Sequence, residues 1–288
     1  MKILVVGHLS IDRQESSAGS SRGSYSGMYR AVQTLADLAG ENDVILPVFN
    51  VYRTDAQPLL DNLKLLPSVD TSGVYTVDAP PPRARYPYPP IPFSRIKPHL
   101  GADGILLKMV SGNDITLDTL DELRMAVRPR VVPVHFDYHN LTLGFGAGGK
   151  RQRRPLEEWR RWAFMLDTVQ FNEEEIAGLT VERMTEEQTA GHLLTLGVKG
   201  VLVTKGKRGV TVYRNERKHV MRQDITVNGG PDLVPSVGSG DIFGASFLYH
   251  YLSLVDLLAS AEKAALAGVE NVREQSRRGG AVTREGGT

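Results

Sequence analysis

The strongest constraint on this chain is an alternation. Short, apolar, β-branched runs recur between longer stretches with a helical apolar period. The runs are Lys2–Gly7, Asp43–Phe49, Gly73–Val77, Gly104–Met109, Val131–Phe136, Thr168–Phe171 and Gly200–Thr204. Several are continuously apolar, as strands covered on both faces must be. Amphipathic periods predict helices over Met28–Ala39, Thr116–Val127, Leu156–Leu166, Thr185–Leu196 and Asp241–Leu258. Strand and helix in turn imply a mostly parallel central sheet with right-handed crossovers, hence a three-layer α/β/α sandwich. Ligands on such sheets bind outside the carboxyl ends of the strands. Functional side chains are therefore expected just after strands.

Two stretches break the alternation. Ile11–Tyr25 is rich in Ser and Gly, and Ala79–Pro98 is rich in Pro among aromatics and arginines. The second can be neither a regular helix nor a central strand. Both are read as surface loops or as a small lid, with lid elements near residues 11–25 and 73–98. The remainder, residues 1–279, forms one domain of ordinary composition, and residues 280–288 read as a frayed tail. The formal net charge of +1 gives no global attraction for nucleic acid or anionic membrane. The absence of cysteine excludes disulfides, thiolate nucleophiles and Cys-ligated zinc. No apolar run approaches the ~18 to 20 residues of a membrane span. The expectation is a cytoplasmic protein with a small-molecule ligand.

The most informative segment is Pro235-Ser-Val-Gly-Ser-Gly-Asp241-Ile-Phe-Gly-Ala-Ser-Phe-Leu. Two glycines lead directly into an apolar helix. Glycines let successive N–H groups point into one concavity, and the helix start adds unpaired donors and partial positive charge. Together these suit a phosphate in transit. Asp241 has a plain alternative as an N-cap or first-turn residue. A carboxylate beside an anion hole can also take the proton of an attacking hydroxyl.

This segment resembles the C-terminal signature of the PfkB, or ribokinase-like, carbohydrate kinases, usually written Asp-Thr-x-Gly-Ala-Gly-Asp. Gly238, Ser239, Gly240 and Asp241 align with its end, and Ser236 stands for Thr. The resemblance implies a kinase with Asp241 as general base and an anion hole from Val237 to Gly240. Pro235 replaces the first Asp, which in the family helps organise cation binding, and this removes the basis for monovalent-cation activation.

Three further segments resemble the family in the same order. Val5-Val-Gly-His-Leu-Ser-Ile-Asp12 is similar to its first strand, which implies that Asp12 meets the acceptor hydroxyls. Phe171-Asn-Glu-Glu-Glu-Ile176 resembles its Asn-x-x-Glu motif, with Asn172 near the nucleotide and Glu175 holding Mg²⁺ through water. Glu173 and Glu174 read as an acidic first helical turn. Val201-Leu-Val-Thr-Lys-Gly-Lys-Arg-Gly209 resembles its nucleotide-holding segment, through Thr204, Gly206 and Gly209. The same segment reads as a hairpin turn between Val201–Thr204 and Val210–Arg214, and both readings can hold. The family's Gly-Gly with a downstream Asn is replaced by Gly23-Ser-Tyr-Ser-Gly27-Met, so Gly27 is the candidate acceptor-side glycine.

Three other patterns carry less. Gly144-Phe-Gly-Ala-Gly-Gly149 fits Gly-x-Gly-x-x-Gly but lacks the immediate strand and helix that a dinucleotide turn needs. Lys150–Arg154 is basic and reads as a solvated loop face. His135-Phe-Asp-Tyr-His139 has metal-like spacing but no evident further ligands, and it reads as a strand end at a pocket rim with Asp137 near substrate. The combined reading is a kinase moving the γ-phosphate of ATP, with Mg²⁺, onto a sugar-like hydroxyl. The alternatives are a nucleoside or cyclitol kinase, or a non-catalytic nucleotide- or sugar-binding protein. The resemblance also implies a possible homodimer.

Overall fold

The computed structural model describes residues 1–14, 22–78, 88–145, 151–217, 219–227 and 238–282. Its centre is a nine-stranded sheet. In chain order the strands are β1 (Lys2–Gly7), β4 (Val44–Tyr52), β5 (Val74–Val77), β6 (Gly104–Lys108), β7 (Val134–Asp137), β10 (Thr168–Asn172), β11 (Gly200–Thr204), β12 (Val210–Glu216) and β13 (His219–Ile225). Their spatial order is β13-β12-β11-β10-β7-β6-β1-β4-β5. From β11 to β5 every pairing is parallel, and β12 and β13 close one edge as antiparallel strands. The chain runs outward from β1 to β4 and β5, then returns to place β6 on the other side of β1. That reversal puts a crevice at the carboxyl ends of β1 and β6, where ligands of such sheets bind.

Helices cover the sheet because its strands are apolar on both faces. On one side, α1 (Met28–Leu38), α8 (Ser239–Leu254) and α9 (Leu257–Val282) pack together, with α8 against β6 and β7. A second set, α4 (Leu117–Val127), α5 (Trp159–Phe164), α6 (Glu173–Ala177) and α7 (Glu186–Thr195), packs in sequence, with α7 on β11 and β12. One apolar cluster runs through β1, β4, β6, β7 and β10, and a smaller one joins β12 to α8 and α9. Among the described residues no helix is long and apolar enough to cross a membrane.

The expected elements are present, with shifts that have physical causes. α2 (Arg53–Lys64) follows β4 directly and was not expected. Pro58 lies inside it and interrupts the pattern, yet Ala56, Leu59 and Leu63 bury at helical spacing. β13 was also missed, because six of its seven residues are exposed at the sheet edge and no apolar alternation marks it. The last long helix stops at Leu254, four residues short of the expected end. Val255 takes a left-handed conformation there, and the Asp256 side chain then accepts the amide of Ala259 as a new helix starts. That helix, α9, continues to Val282, beyond the expected frayed boundary at Gly279, since each added residue adds a backbone bond.

The two candidate lid segments differ. β2 (Leu9–Gln14) and β3 (Arg22–Gly27) form a separate antiparallel ribbon within the first. In the second, β5 extends the main sheet beside β4, and Ile91 and Ile96 are buried in the main core. The described part of that segment is therefore body rather than lid; residues 79–87 lie outside the described residues.

Candidate active site

The first turn of α8 sets the site. Gly238 precedes the helix with φ 93°, a left-handed conformation that costs glycine little. Its carbonyl accepts the amides of Asp241 and Ile242. Helix geometry leaves the amides of Ser239 and Gly240 without intrahelical acceptors. The N-cap is Gly238, with no side-chain cap, and Asp241 lies in the first turn, the second of the two places that the plain alternative allows. Its carboxylate is turned into the molecule and buried.

There it meets Lys108, the last residue of β6. The ammonium contacts both Asp137 and Asp241, and the lysine side chain is 1% exposed. Burial alone would lower the ammonium's proton affinity; the two carboxylates reverse that and raise it above its ordinary value. Burial would likewise raise the Asp137 carboxyl, and Lys108 outweighs it, so Asp137 sits below the usual range. Lys108 pairs with Asp137 across β6 and β7 and with Gly7 across β6 and β1. The cluster thus occupies the carboxyl ends of adjacent strands beside the crevice. A side chain on Gly27, the N-cap of α1, would stand 3.9 Å from Lys108 Cε and 3.3 Å from Val110. The absence of one brings the α1 start against the cluster.

Gln170 and His135 hold α8 from below. Gln170 donates to the carbonyl of Gly240 at 2.9 Å, tying the first turn of α8 to β10. A side chain on Gly244 would lie 2.6 Å from Gln170 Oε1 and 3.5 Å from His135 Nε2, so the helix seats only because that position is bare. His135 bonds Thr168 Oγ1 through Nδ1 and packs on Phe247. Burial pushes its pKa down to about 4, against the Asp137 charge.

Asn172 and Glu175 form a reciprocal cap at the start of α6. Asn172 accepts the amide of Glu175, and Glu175 accepts both the backbone and side-chain N–H of Asn172 at 2.8 Å. Glu175 is pushed up to about 8 by burial and by Asp137, against the Asn172 amide, Arg153 and Lys108. Among the described residues no three carboxylate or imidazole groups could cage a metal. Arg153 and His139 stand 3.7 and 3.8 Å from the Glu175 carboxyl, so a hydrated Mg²⁺ met through water would share it with these side chains. Thr204 donates to the carbonyl of Phe171 at 3.2 Å, and Gly206 (φ 56°) and Gly209 (φ 88°) shape the β11–β12 turn. On the same rim a cleft of about 380 Å³ is lined by Ile225, Thr226, Val227, Glu262 and Leu266.

The structure therefore brings together Gly27, Asp137, Gly238, Ser239, Gly240 and Asp241, with Asn172 and Glu175 on the next strand end. Asp12 lies in β2 opposite Ser24, and nothing is described of its side chain. Val237, Ser236 and Pro235 lie outside the described residues. Sequence reasoning missed Lys108, although a lone lysine ending the run Gly-Ile-Leu-Leu-Lys was a visible signal. It missed Arg30, whose Nη1 lies 2.4 Å from where a Gly238 side chain would begin. It also read Arg153 as solvated, whereas Arg153 Nη2 stands 3.7 Å from Glu175. The Gly-x-Gly-x-x-Gly pattern is flanked by β8 (Leu143–Phe145) and β9 (Arg151–Arg153), an antiparallel pair rather than a strand and helix.

Residues 151–283 match the model of the pfkB family of carbohydrate kinases. A stretch of 81 residues is 33% identical to a 5-dehydro-2-deoxygluconokinase of Clostridium botulinum (strain Eklund 17B / Type B). It spans 28% of this chain and 23% of that protein. A pyrophosphate-dependent kinase of the ribokinase family, complexed with a pyrophosphate analog and myo-inositol, superposes with a TM-score of 0.71 at 18% identity. Coverage is 95% of each chain. Thermotoga maritima ribokinase superposes with a TM-score of 0.68 at 19% identity, covering 93% of this chain and 91% of that one. Over its second half this chain carries the sequence signature of the pfkB carbohydrate kinases, and along its length it has the fold of the ribokinase-like kinases.

Proposed function

We propose that this protein is an ATP-dependent kinase that moves the γ-phosphate onto a hydroxyl of a sugar or sugar-like polyol. The observation that carries the reading is Asp241, a buried carboxylate in the first turn of α8 at the carboxyl edge of the sheet. It stands beside the amides of Ser239 and Gly240, which helix geometry leaves without intrahelical acceptors, so a base and an anion hole share one spot.

The acceptor hydroxyl lies against Asp241, with Asp137, Gly27 and Asp12 on the acceptor side. Asp241 takes the hydroxyl proton as the oxygen attacks the γ-phosphorus in line. The amides of Ser239 and Gly240 receive the charge on the transferring group. Val237 completes that cradle. Asn172, Thr204, Gly206 and Gly209 border the donor. Glu175 would hold a hydrated Mg²⁺, and the ion would supply charge neutralisation at the donor phosphates. The cleft at Ile225–Val227, Glu262 and Leu266 is where this reading seats the nucleotide base.

The test is an assay of ADP release and acceptor phosphorylation with ATP and Mg²⁺. Acceptors span pentoses, hexoses, deoxy sugar acids, nucleosides and inositols, with pyrophosphate run in parallel. The expected result is acceptor-dependent ADP release, abolished in Asp241→Asn while ATP affinity stays within about tenfold. Turnover retained in Asp241→Asn removes that residue from the role. Nucleotide binding without transfer to any acceptor replaces the kinase by a binding protein.

A further inference from the structure

Among the described residues, Lys108 is the side chain that touches both carboxylates of the proposed reaction centre, and no motif assigns it a role. It ends an otherwise apolar strand, and its charge is held fully inside the protein. An unpaired buried ammonium costs several kcal/mol by the general desolvation argument, and even well-paired buried ion clusters give little net stability. An apolar residue would serve the strand at least as well. The ammonium has three N–H donors, and Asp137 and Asp241 take two. No third acceptor is present among the described residues. The bare Gly27 at the start of α1 and the amides of Ser239 and Gly240 at the start of α8 converge on the same place. A cation so placed stands where negative charge spreads over the equatorial oxygens of a phosphoryl group approaching Asp241's hydroxyl partner.

Resting on the kinase reading above, we propose that Lys108 is a catalytic residue: its ammonium binds a non-bridging oxygen of the transferring phosphoryl group, while Asp241 accepts the acceptor's proton. The balance is complete. The acceptor oxygen forms the new O–P bond, and its proton goes to Asp241. The bond from the γ-phosphorus to the β,γ-bridging oxygen breaks, and ADP leaves with the electron pair. Lys108 neither gains nor loses a proton. Its contact with Asp137 keeps the ammonium in place before and after transfer, and the phosphoryl oxygen takes the remaining donor.

Removing the lysine alone leaves two buried carboxylates face to face and invites unfolding. The variant K108M/D137N avoids this, because it removes one cation and one anion and leaves the cluster's net charge unchanged. Its reference is D137N, and K108Q/D137N, which keeps a neutral donor, provides a second variant. Thermal unfolding and ADP titration establish that each is folded and binds nucleotide. The expected result is a kcat at least about a hundredfold below that of D137N, with the KM for ATP within about fivefold, the split that a group acting in transfer produces. K108M/D137N and K108Q/D137N turning over within about threefold of D137N would overturn the assignment while leaving the kinase reading intact. Wild-type protein that transfers phosphate to no acceptor overturns the kinase reading itself, and this inference with it.

Discussion

Strands β7 and β10 carry a buried ionic cluster at each end, and the two clusters are inverted in charge. At the amino end Asp167 accepts the amide of Val134 at 2.9 Å and meets Arg124 at 2.7 Å and Lys199 at 2.9 Å. Two cations share one carboxylate there, and the cations are themselves part exposed. At the carboxyl end one buried ammonium is shared by Asp137 and Asp241, with Glu175 on the next strand end. The amino-end knot is complete, because strand edge, helix α4 and the β11 approach all close on the same carboxylate. The carboxyl-end cluster is anion-rich and borders the start of α8, whose first amides have no intrahelical acceptors. The same residue types become a staple at one edge and a site at the other, according to strand direction alone.

The sharpest way to break this contrast is one substitution made at both ends. Asp241→Asn is expected to abolish turnover, a loss in kcat of at least about a thousandfold, as for a lost general base. Asp167→Asn is expected to leave kcat within about threefold and to cost about 3 kcal/mol in urea unfolding, since it strips the anion from under two cations. Burial alone would raise the Asp167 carboxyl; Lys199, the Val134 amide and Arg124 outweigh it and hold it below the usual range. Its contribution is therefore present at neutral pH and lost on acidification. A kcat loss in Asp167→Asn comparable to that in Asp241→Asn would dissolve the division between the two ends.

The division also marks what the sequence could and could not disclose. Continuous apolar runs located β1, β6, β10 and β11 to within a residue or two, because burial on both faces leaves no alternative pattern. The α8 start was legible because glycine spacing and a carboxylate have few joint uses. Glu175 was legible as a motif position, although its raised proton affinity depends on Asp137, which arrives from another strand. Lys108 escaped because pairing across β6 and β7, and the descent of α8 onto both, creates its partners. Arg30 and Arg153 escaped for the same reason: a charged residue on a helix or ribbon discloses its face only after packing. β13 and α2 escaped through the opposite cause, an exposed edge and an internal proline that hide periodicity.

A smaller effect tests the helix seat between the clusters. His135 is buried between Thr168, Gln170, Phe247 and the Asp137–Lys108 pair, and burial drops its pKa from 6.5 to about 4. The unfolded chain then binds a proton between these values that the folded chain refuses. Stability contributed by the neutral ring is full above about pH 6.5 and is lost as pH falls toward 4. The expected loss from this group is about 3 kcal/mol. Urea unfolding of wild type and His135→Gln at pH 7.5 and pH 4 should differ by that amount in their pH dependence. Equal slopes would mean that the ring is already charged in the fold, and that the α8 seat is ionic like its neighbours.

The smallest effect separates the ends through threonine. Thr168 begins β10 and bonds His135 at 2.9 Å, whereas Thr204 ends β11 and bonds the Phe171 carbonyl at 3.2 Å. Each hydroxyl supports one neighbouring group, so Thr168→Val and Thr204→Val should each cost about 1 kcal/mol of stability. Only Thr204 stands on the rim assigned to the donor. Thr204→Val is therefore expected to raise the KM for ATP about three- to fivefold with kcat unchanged, and Thr168→Val to leave both constants alone. If Thr168→Val raises the KM equally, the cause is general loosening of β10, and the rim has no special claim on the nucleotide. If neither moves it, the donor binds through backbone at Gly206 and Gly209, and the threonine is only a tie between strands.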